Sequence, residues 1–246
     1  MPNIHIMLRI NSDAKVVVLT GAGISAESGI KTFRASDGLW EKHPIEDVAT
    51  PYAWKKNQQL VWNFYQQRRK QLLEVQPNPA HESLVNIENK LIDNFLLITQ
   101  NVDDLHSRAG SKNIIHMHGE LRLLRCEECL GIFDMMEDTH LTDDFVACPE
   151  CDNDRLRPHI VWFHEMPLQL QEINQAVGEC DFFITIGTSG HVTPAAGLIY
   201  LAKSSGATCI GVNLEHPLNY GEYDHFYQGK AGEILPNLVE NWFSNS

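Results

Sequence analysis

Basic residues are scarce in this 246-residue chain: 19 lysines and arginines stand against 32 aspartates and glutamates, a net charge of −13. Nucleic-acid binding needs clustered Lys and Arg against the phosphates, so no direct nucleic-acid binding is expected. An acidic chain suits basic partners such as lysine-rich protein segments, and it also serves plain solubility. Long hydrophobic runs are lacking; none approaches the length that spans a bilayer, and no membrane partner is expected. The opening stretch carries Asn3, His5 and Arg9. It has none of the basic start, apolar core and small-residue cleavage site of a secretory signal, which makes the cytoplasm the default location. Internal repeats and low-complexity tracts are absent as well. Cysteine is sparse, six residues in all, and without a secretion signal a disulfide framework is not the reading to prefer.

What is present is ordinary for a globular chain, 43% hydrophobic and 21% charged, and fits one large domain or one domain with a smaller insertion. Lys15-Val16-Val17-Val18-Leu19-Thr20 is a short β-branched run ending in glycines and reads as a buried strand. Phe95–Thr99, Phe182–Ile186 and Thr208–Val212 read the same way. Helical patterns lie between and after them, at about His81–Leu91, Leu168–Val177, Pro194–Ala202 and Glu233–Phe243. Strands alternating with helices predict an α/β fold, a Rossmann-like parallel sheet with helices on both faces.

Two stretches interrupt that rhythm. Residues 34–79 show an irregular loop and then a helix from Trp54 to about Leu73, and residues 121–157 hold paired cysteines among many acidic residues. Both read as insertions that together make a small lobe, one helical and one a zinc ribbon. The large lobe then takes residues 1–33, 80–120 and 158–246.

Gly21-Ala22-Gly23-Ile24-Ser25-Ala26 follows the first strand and fits the G-x-G-x-x-G/A pattern. Its glycines let the backbone turn sharply and approach a pyrophosphate, although a tight strand-to-helix turn needs glycine for structural reasons too. A dehydrogenase also wants an acidic residue at the end of a second strand about 20 residues on. No strand precedes Asp37, so a nicotinamide dehydrogenase fits poorly. Asn213-Leu214-Glu215, after a later strand, is a better ribose ligand. Cys126-x-x-Cys129 and Cys148-x-x-Cys151 have zinc-ribbon spacing, and four thiolates close the shell of a structural Zn²⁺. Cys180 and Cys209 read as packing residues.

Three polar clusters sit where strands end: Gln100-Asn101-Val102-Asp103, His116-Met117-His118-Gly119 and Gly187-Thr188-Ser189. Open α/β sheets bind ligands at that edge. With the glycine turn, Ser28-Gly29-Ile30, Thr32-Phe33-Arg34, the cysteine quartet and Asn213-Leu214-Glu215, these pieces cover nearly the whole chain and come in the order of the sirtuins, which the sequence strongly resembles. It looks most like the class III bacterial and mitochondrial-type desuccinylases.

The resemblance implies an NAD-dependent protein-lysine deacylase. NAD is a consumed co-substrate: the acyl oxygen attacks C1′ of the nicotinamide ribose, nicotinamide leaves, and a histidine base assists the ribose hydroxyls. Nicotinamide, deacylated lysine and O-acyl-ADP-ribose result. His118 matches that base, and imidazole titrates near working pH. The cofactor side is expected to take in Gly21, Ala22, Gly23, Ile24, Glu27, Thr32, Phe33, Arg34 and Trp40, then Gln100, Asn101, Val102 and Asp103. It continues with Gly187, Thr188, Ser189, Asn213, Leu214, Glu215 and Ala231. Val161, Trp162 and Phe163 match the strand that pairs with the acylated peptide; His164 follows where the family pattern has glycine. Tyr65 and Arg68, three apart on a helix, look like the Tyr-x-x-Arg that reads succinyl and malonyl groups. An Arg fork and a phenol suit a carboxylate. Desuccinylase, demalonylase and deacetylase activities are all expected. The rival readings are a protein mono-ADP-ribosyltransferase and a non-enzymatic zinc-ribbon binding module.

Overall fold

The computed structural model describes residues 8–31, 39–40 and 43–244. Six strands form one parallel sheet: β1 (Val16–Thr20), β2 (Phe95–Thr99), β3 (Ile114–His116), β4 (Phe182–Ile186), β5 (Thr208–Asn213) and β6 (His225–Gln228). Their order is β6-β5-β4-β1-β2-β3, the doubly wound order. The chain leaves β1 toward β2 and β3, then returns to the other side of β1 for β4 to β6. The reversal opens a crevice at the carboxyl ends of β1 and β4, where such sheets bind ligands.

Alternation along the strands splits the core in two, as the period of a pleated strand requires. Val16, Val18, Ile184 and Ile186 face the helices Pro79–Leu91 and Ala231–Trp242, packing on Leu84, Ile87, Leu235 and Trp242. Val17, Leu19 and Phe183 face the opposite way, against Ile173, Val177, Ile199 and Ala202 of the helices Leu170–Glu179 and Leu198–Ser204. The helix Pro79–Leu91 starts at Asn78, whose side chain accepts the Ala80 N–H at 2.9 Å while its own N–H reaches His81 Nδ1 at 3.2 Å. This is a capping box with histidine in the place of the usual acid or amide.

A third core joins residues 45–72 to residues 121–162. Trp54, Trp62, Tyr65 and Leu72 from the helices Pro51–Lys56 and Gln58–Leu72 pack on Leu124, Leu156 and Trp162. The latter belong to or flank an antiparallel sheet in which Gly119–Arg125 lies between Ile132–Asp134 and Arg157–Ile160.

Several local expectations are corrected. The segment after β1 is a 3-10 helix (Ala22–Ser28). The single helix expected from Trp54 is two, parted at Asn57, whose side chain caps Leu60 N–H at 3.1 Å and restarts the chain. The stretch thought free of strands holds a two-residue pair, Leu39–Trp40 with His43–Pro44. Val161–Phe163 lies beyond its strand, which ends at Ile160. The edge strand β6 and the cysteine-bearing sheet also had no strand signature. They are short and mixed in polarity, and only cross-strand pairing makes them strands.

At Gly187, φ is +65° and an added Cβ would lie 2.3 Å from Ile24 N. Gly187→Ala is therefore expected to cost about 2 kcal/mol or more of unfolding free energy, from left-handed strain and overpacking together. Urea melts of the two proteins measure it; equal midpoints and slopes would show that the close approach is not needed.

Candidate active site at the carboxyl edge of the sheet

The glycine turn and the turn after β4 lock together through their backbones. Gly21 N–H donates to Ile186 O at 3.0 Å and Gly23 N–H to Gly187 O at 2.8 Å, while Gly187 N–H reaches Val212 O at 3.0 Å. A Cβ on Gly23 would stand 2.7 Å from Gly187 Cα, so neither partner tolerates a side chain. The 3-10 helix beginning at Ala22 has no side-chain cap, so its first N–H groups depend on other partners.

Ile24 and Ser25 are buried in that helix, and Ser25 opens a buried polar cluster. Its hydroxyl donates to Asp103 Oδ2 at 2.9 Å and accepts from Asn101 Nδ2 at 3.1 Å; His81 Nε2 lies 3.5 Å away. Asp103 Oδ1 accepts the Leu105 N–H at 3.1 Å. Burial pushes the Asp103 carboxyl up to about 6 against those hydrogen bonds. Burial likewise holds His81 down at about 4. His106, stacked edge-on to His81 with ring centroids 4.8 Å apart, bonds Thr20 Oγ1 at 3.0 Å and is driven well below the ordinary histidine value by burial. Neutral imidazoles are the form a dry interior accepts.

His118 stands beside this cluster. Its Nδ1 is 3.0 Å from Gln100 O, so in the neutral ring Nδ1 carries the proton and Nε2 is the base. Burial lowers its pKa below 6.5, and the bond to the Gln100 carbonyl opposes the shift. Gln100 Nε2 reaches Thr188 Oγ1 at 3.3 Å, and Asn213 Nδ2 reaches Thr188 O at 3.0 Å. One edge thus gathers residues from the ends of β1, β2, β4 and β5 together with His118. Ser189, Leu214 and Glu215 continue it as exposed positions, and Ala231 is buried at the start of the last helix.

Next to it is an aromatic wall. Trp40 meets Phe64 and Tyr65 edge-on at 5.1 and 5.8 Å, and the Arg68 guanidinium lies 5.5 Å from the Trp40 ring. Trp40, Arg68, Val102, Asp103 and Leu121 line a common cavity of about 40 Å³. Trp40, expected on the cofactor side, shares this cavity with Val102 and Asp103 and also meets Tyr65 and Arg68. Arg68 donates to the Phe64 carbonyl and lies flat over the Phe64 ring at 3.3 Å. The backbone N–H groups of Val161, Trp162 and Phe163 go to His118 O at 2.9 Å, Glu165 Oε2 at 2.8 Å and Ala49 O at 2.9 Å.

The Glu27 carboxylate accepts the Gly232 N–H at 2.8 Å and ties the glycine turn to the last helix, next to Ala231. Thr32, Phe33 and Arg34 lie outside the described residues. Sequence reasoning missed His81, His106 and Thr20. The capping position of His81 was the one available signal, and a histidine there is not the usual capping residue.

Cys126, Cys129, Cys148 and Cys151 converge, their sulfurs within 4.8 Å of one another. Cys126–Cys151 and Cys129–Cys148 are each 3.6 Å apart, close to the ~3.8 Å edge of a tetrahedron with Zn–S bonds of about 2.3 Å. N–H groups of Glu128 and Glu150 and the Asn153 amide point at these sulfurs, as thiolates require. The four residues fit a structural zinc.

The sequence profile of the Sir2 family matches residues 21–194. The chain belongs to the Sir2 family. A protein of Pasteurella multocida (strain Pm70), named NAD-dependent protein deacylase, is 51% identical over 232 residues, which is 94% of this chain and 98% of that one. A Sir2 homologue solved as a mutant with ADP-ribose superposes with a TM-score of 0.85 at 39% identity, over 94% of this chain and 92% of that one. A Sir2 homologue solved with NAD gives 0.84 at 40%, over 93% and 90%. In this sirtuin Cys126 and Cys148 are buried in the core around Trp54, Trp62 and Tyr65, Cys151 packs against it, and Cys129 is exposed. Metal analysis is expected to give one zinc per chain. Chelation should melt the insertions at lower temperature, because structural zinc binding is also folding free energy; a metal-free chain with an unchanged melt would refute the assignment.

Proposed function

We propose that this sirtuin is an NAD-dependent protein-lysine deacylase, with NAD and the acyl-lysine meeting between the sheet edge and the insertion core. The observation that carries the reading is His118, fixed on the Gln100 carbonyl at 3.0 Å beside the buried Ser25–Asn101–Asp103 cluster. When bound, NAD supplies the ADP-ribosyl group that accepts the acyl oxygen as nicotinamide leaves. The interlocked glycines let backbone approach the pyrophosphate. Asn101 and Asp103 orient the nicotinamide carboxamide and ribose, while Thr188, Ser189, Asn213 and Glu215 attend the adenosine side. His118 Nε2 takes the proton from a ribose hydroxyl, and the Gln100 carbonyl steadies the cation that forms on the ring. The acylated peptide runs along Val161–Phe163. Their N–H groups are engaged within the protein, so the peptide meets carbonyls and side chains unless one of those bonds opens.

His118→Ala should lower turnover about 10²–10⁴-fold with NAD affinity retained, because a base acts in the transition state. Since burial lowers the His118 pKa, the neutral base persists below pH 6.5, and the acid limb of kcat/KM should fall there. Free-lysine assays across pH, with NAD titrations, measure both. Near wild-type turnover in the variant would move the base elsewhere.

Tyr65 and Arg68 read the distal carboxylate of succinyl- and malonyl-lysine. Arg68 donates to the Phe64 carbonyl, and the planar fork of a guanidinium suits a carboxylate. Arg68→Met should cost about 1.5–3 kcal/mol on a succinyl-lysine peptide and much less on the acetyl peptide. Equal losses on the two would make the enzyme a plain deacetylase.

A further inference from the structure

We propose that Trp162 is a positioning residue for acyl selectivity: its indole N–H occupies one side of the Tyr65 hydroxyl and turns the phenolic proton toward an acidic acyl group. This rests on the acid-reading role of Tyr65 and Arg68 given above. Trp162 Nε1 lies 3.0 Å from Tyr65 Oη. An indole N–H only donates, so the direction of this bond is not ambiguous and the tyrosine oxygen is the acceptor. A phenol has a single proton, which must then look for an acceptor elsewhere. Among the described residues the hydroxyl has none; its one hydrogen-bond partner is Trp162.

Tyr65 is completely buried. Burial also drives its pKa above the ordinary tyrosine value, so the group stays a neutral donor and presents no negative charge to an incoming anion. An unspent donor in a dry site favours a ligand that can accept from it, and a site built around such a donor discriminates strongly against an analogue that lacks the acceptor. A succinyl or malonyl carboxylate accepts this bond; the methyl of an acetyl group does not.

The indole is itself held firmly. The Arg157 guanidinium lies 3.4 Å from the Trp162 ring and grips both oxygens of Glu165 at 3.0 and 3.1 Å. Glu165 Oε2 accepts the Trp162 backbone N–H at 2.8 Å, and the Glu165 N–H returns to Trp162 O at 2.9 Å. This doubly closed turn carries His164 at φ +74° and fixes the ring from its backbone as well as its face. A tryptophan serving only as packing would need the same surroundings but no particular direction for its N–H.

The test compares kcat/KM on two peptides that differ only in succinyl or acetyl, for wild type, Trp162→Phe, Tyr65→Phe, the double variant and Arg68→Met. Trp162→Phe should lower the succinyl-to-acetyl ratio roughly tenfold, the size of one hydrogen bond to a charged group, chiefly through the KM of the succinyl peptide. The double variant should show the ratio of Tyr65→Phe alone, because without the hydroxyl there is nothing left to orient. If Trp162→Phe leaves the ratio unchanged while Tyr65→Phe lowers it, Trp162 is packing only and the inference is overturned. If neither Tyr65→Phe nor Arg68→Met changes the ratio, the acid-reading role itself fails. Should Trp162→Phe not fold, 3-benzothienylalanine at position 162 replaces the N–H by sulfur at nearly constant shape and reads the same ratio.

Discussion

At the centre of the molecule two turns touch backbone to backbone. Gly23 donates to the Gly187 carbonyl at 2.8 Å, and a methyl on either residue would collide with main-chain atoms of the other. This contact lies where the strand order reverses, at the carboxyl ends of β1 and β4. It sets the position of Ser25 on one side and of Thr188 on the other. Through Ser25 it places Asn101 and Asp103, and through Thr188 it places Gln100 and Asn213. Gln100 then seats His118. These bonds link the glycine contact to the polar groups on the edge.

Burial gives those groups their chemical character. The interior accepts His81, His106 and His118 as neutral rings and raises the Asp103 carboxyl to about 6, because a low-dielectric site penalises the charged form of each. A neutral His118 with its Nδ1 proton engaged is a ready base. The surrounding hydrogen bonds limit the cost of holding so many polar atoms away from water.

The segments 45–72 and 121–162 supply what the sheet lacks. Their common core contains Trp54, Trp62, Tyr65 and Trp162 together with two of the cysteines. The cysteine cluster and the aromatic wall thus share one core. Tyr65 comes from the helix Gln58–Leu72, and Trp162 lies two residues past the strand Arg157–Ile160. Their hydrogen bond is a seam between separate stretches of chain, and selectivity placed on that seam depends on both being folded.

The strands of the large sheet, the glycine turn and the cysteine quartet were legible because each is a local statement. A β-branched run, a G-x-G spacing and a C-x-x-C pair carry their physical reason within a few residues. The polar clusters at strand ends were legible for the same reason once the strands were placed. The edge strand His225–Gln228 and the insertion sheet were not, since short mixed-polarity segments become strands only when a neighbour pairs with them. Nor could the sequence send Glu27 to the Gly232 N–H, set Trp40 edge-on to Tyr65, or bring Trp162 to Tyr65 across 97 residues. Residue types and spacing determined the family and its chemistry. Which side chain holds which, and in which direction each proton points, was decided by packing between segments far apart in the chain, where no local pattern carries the information.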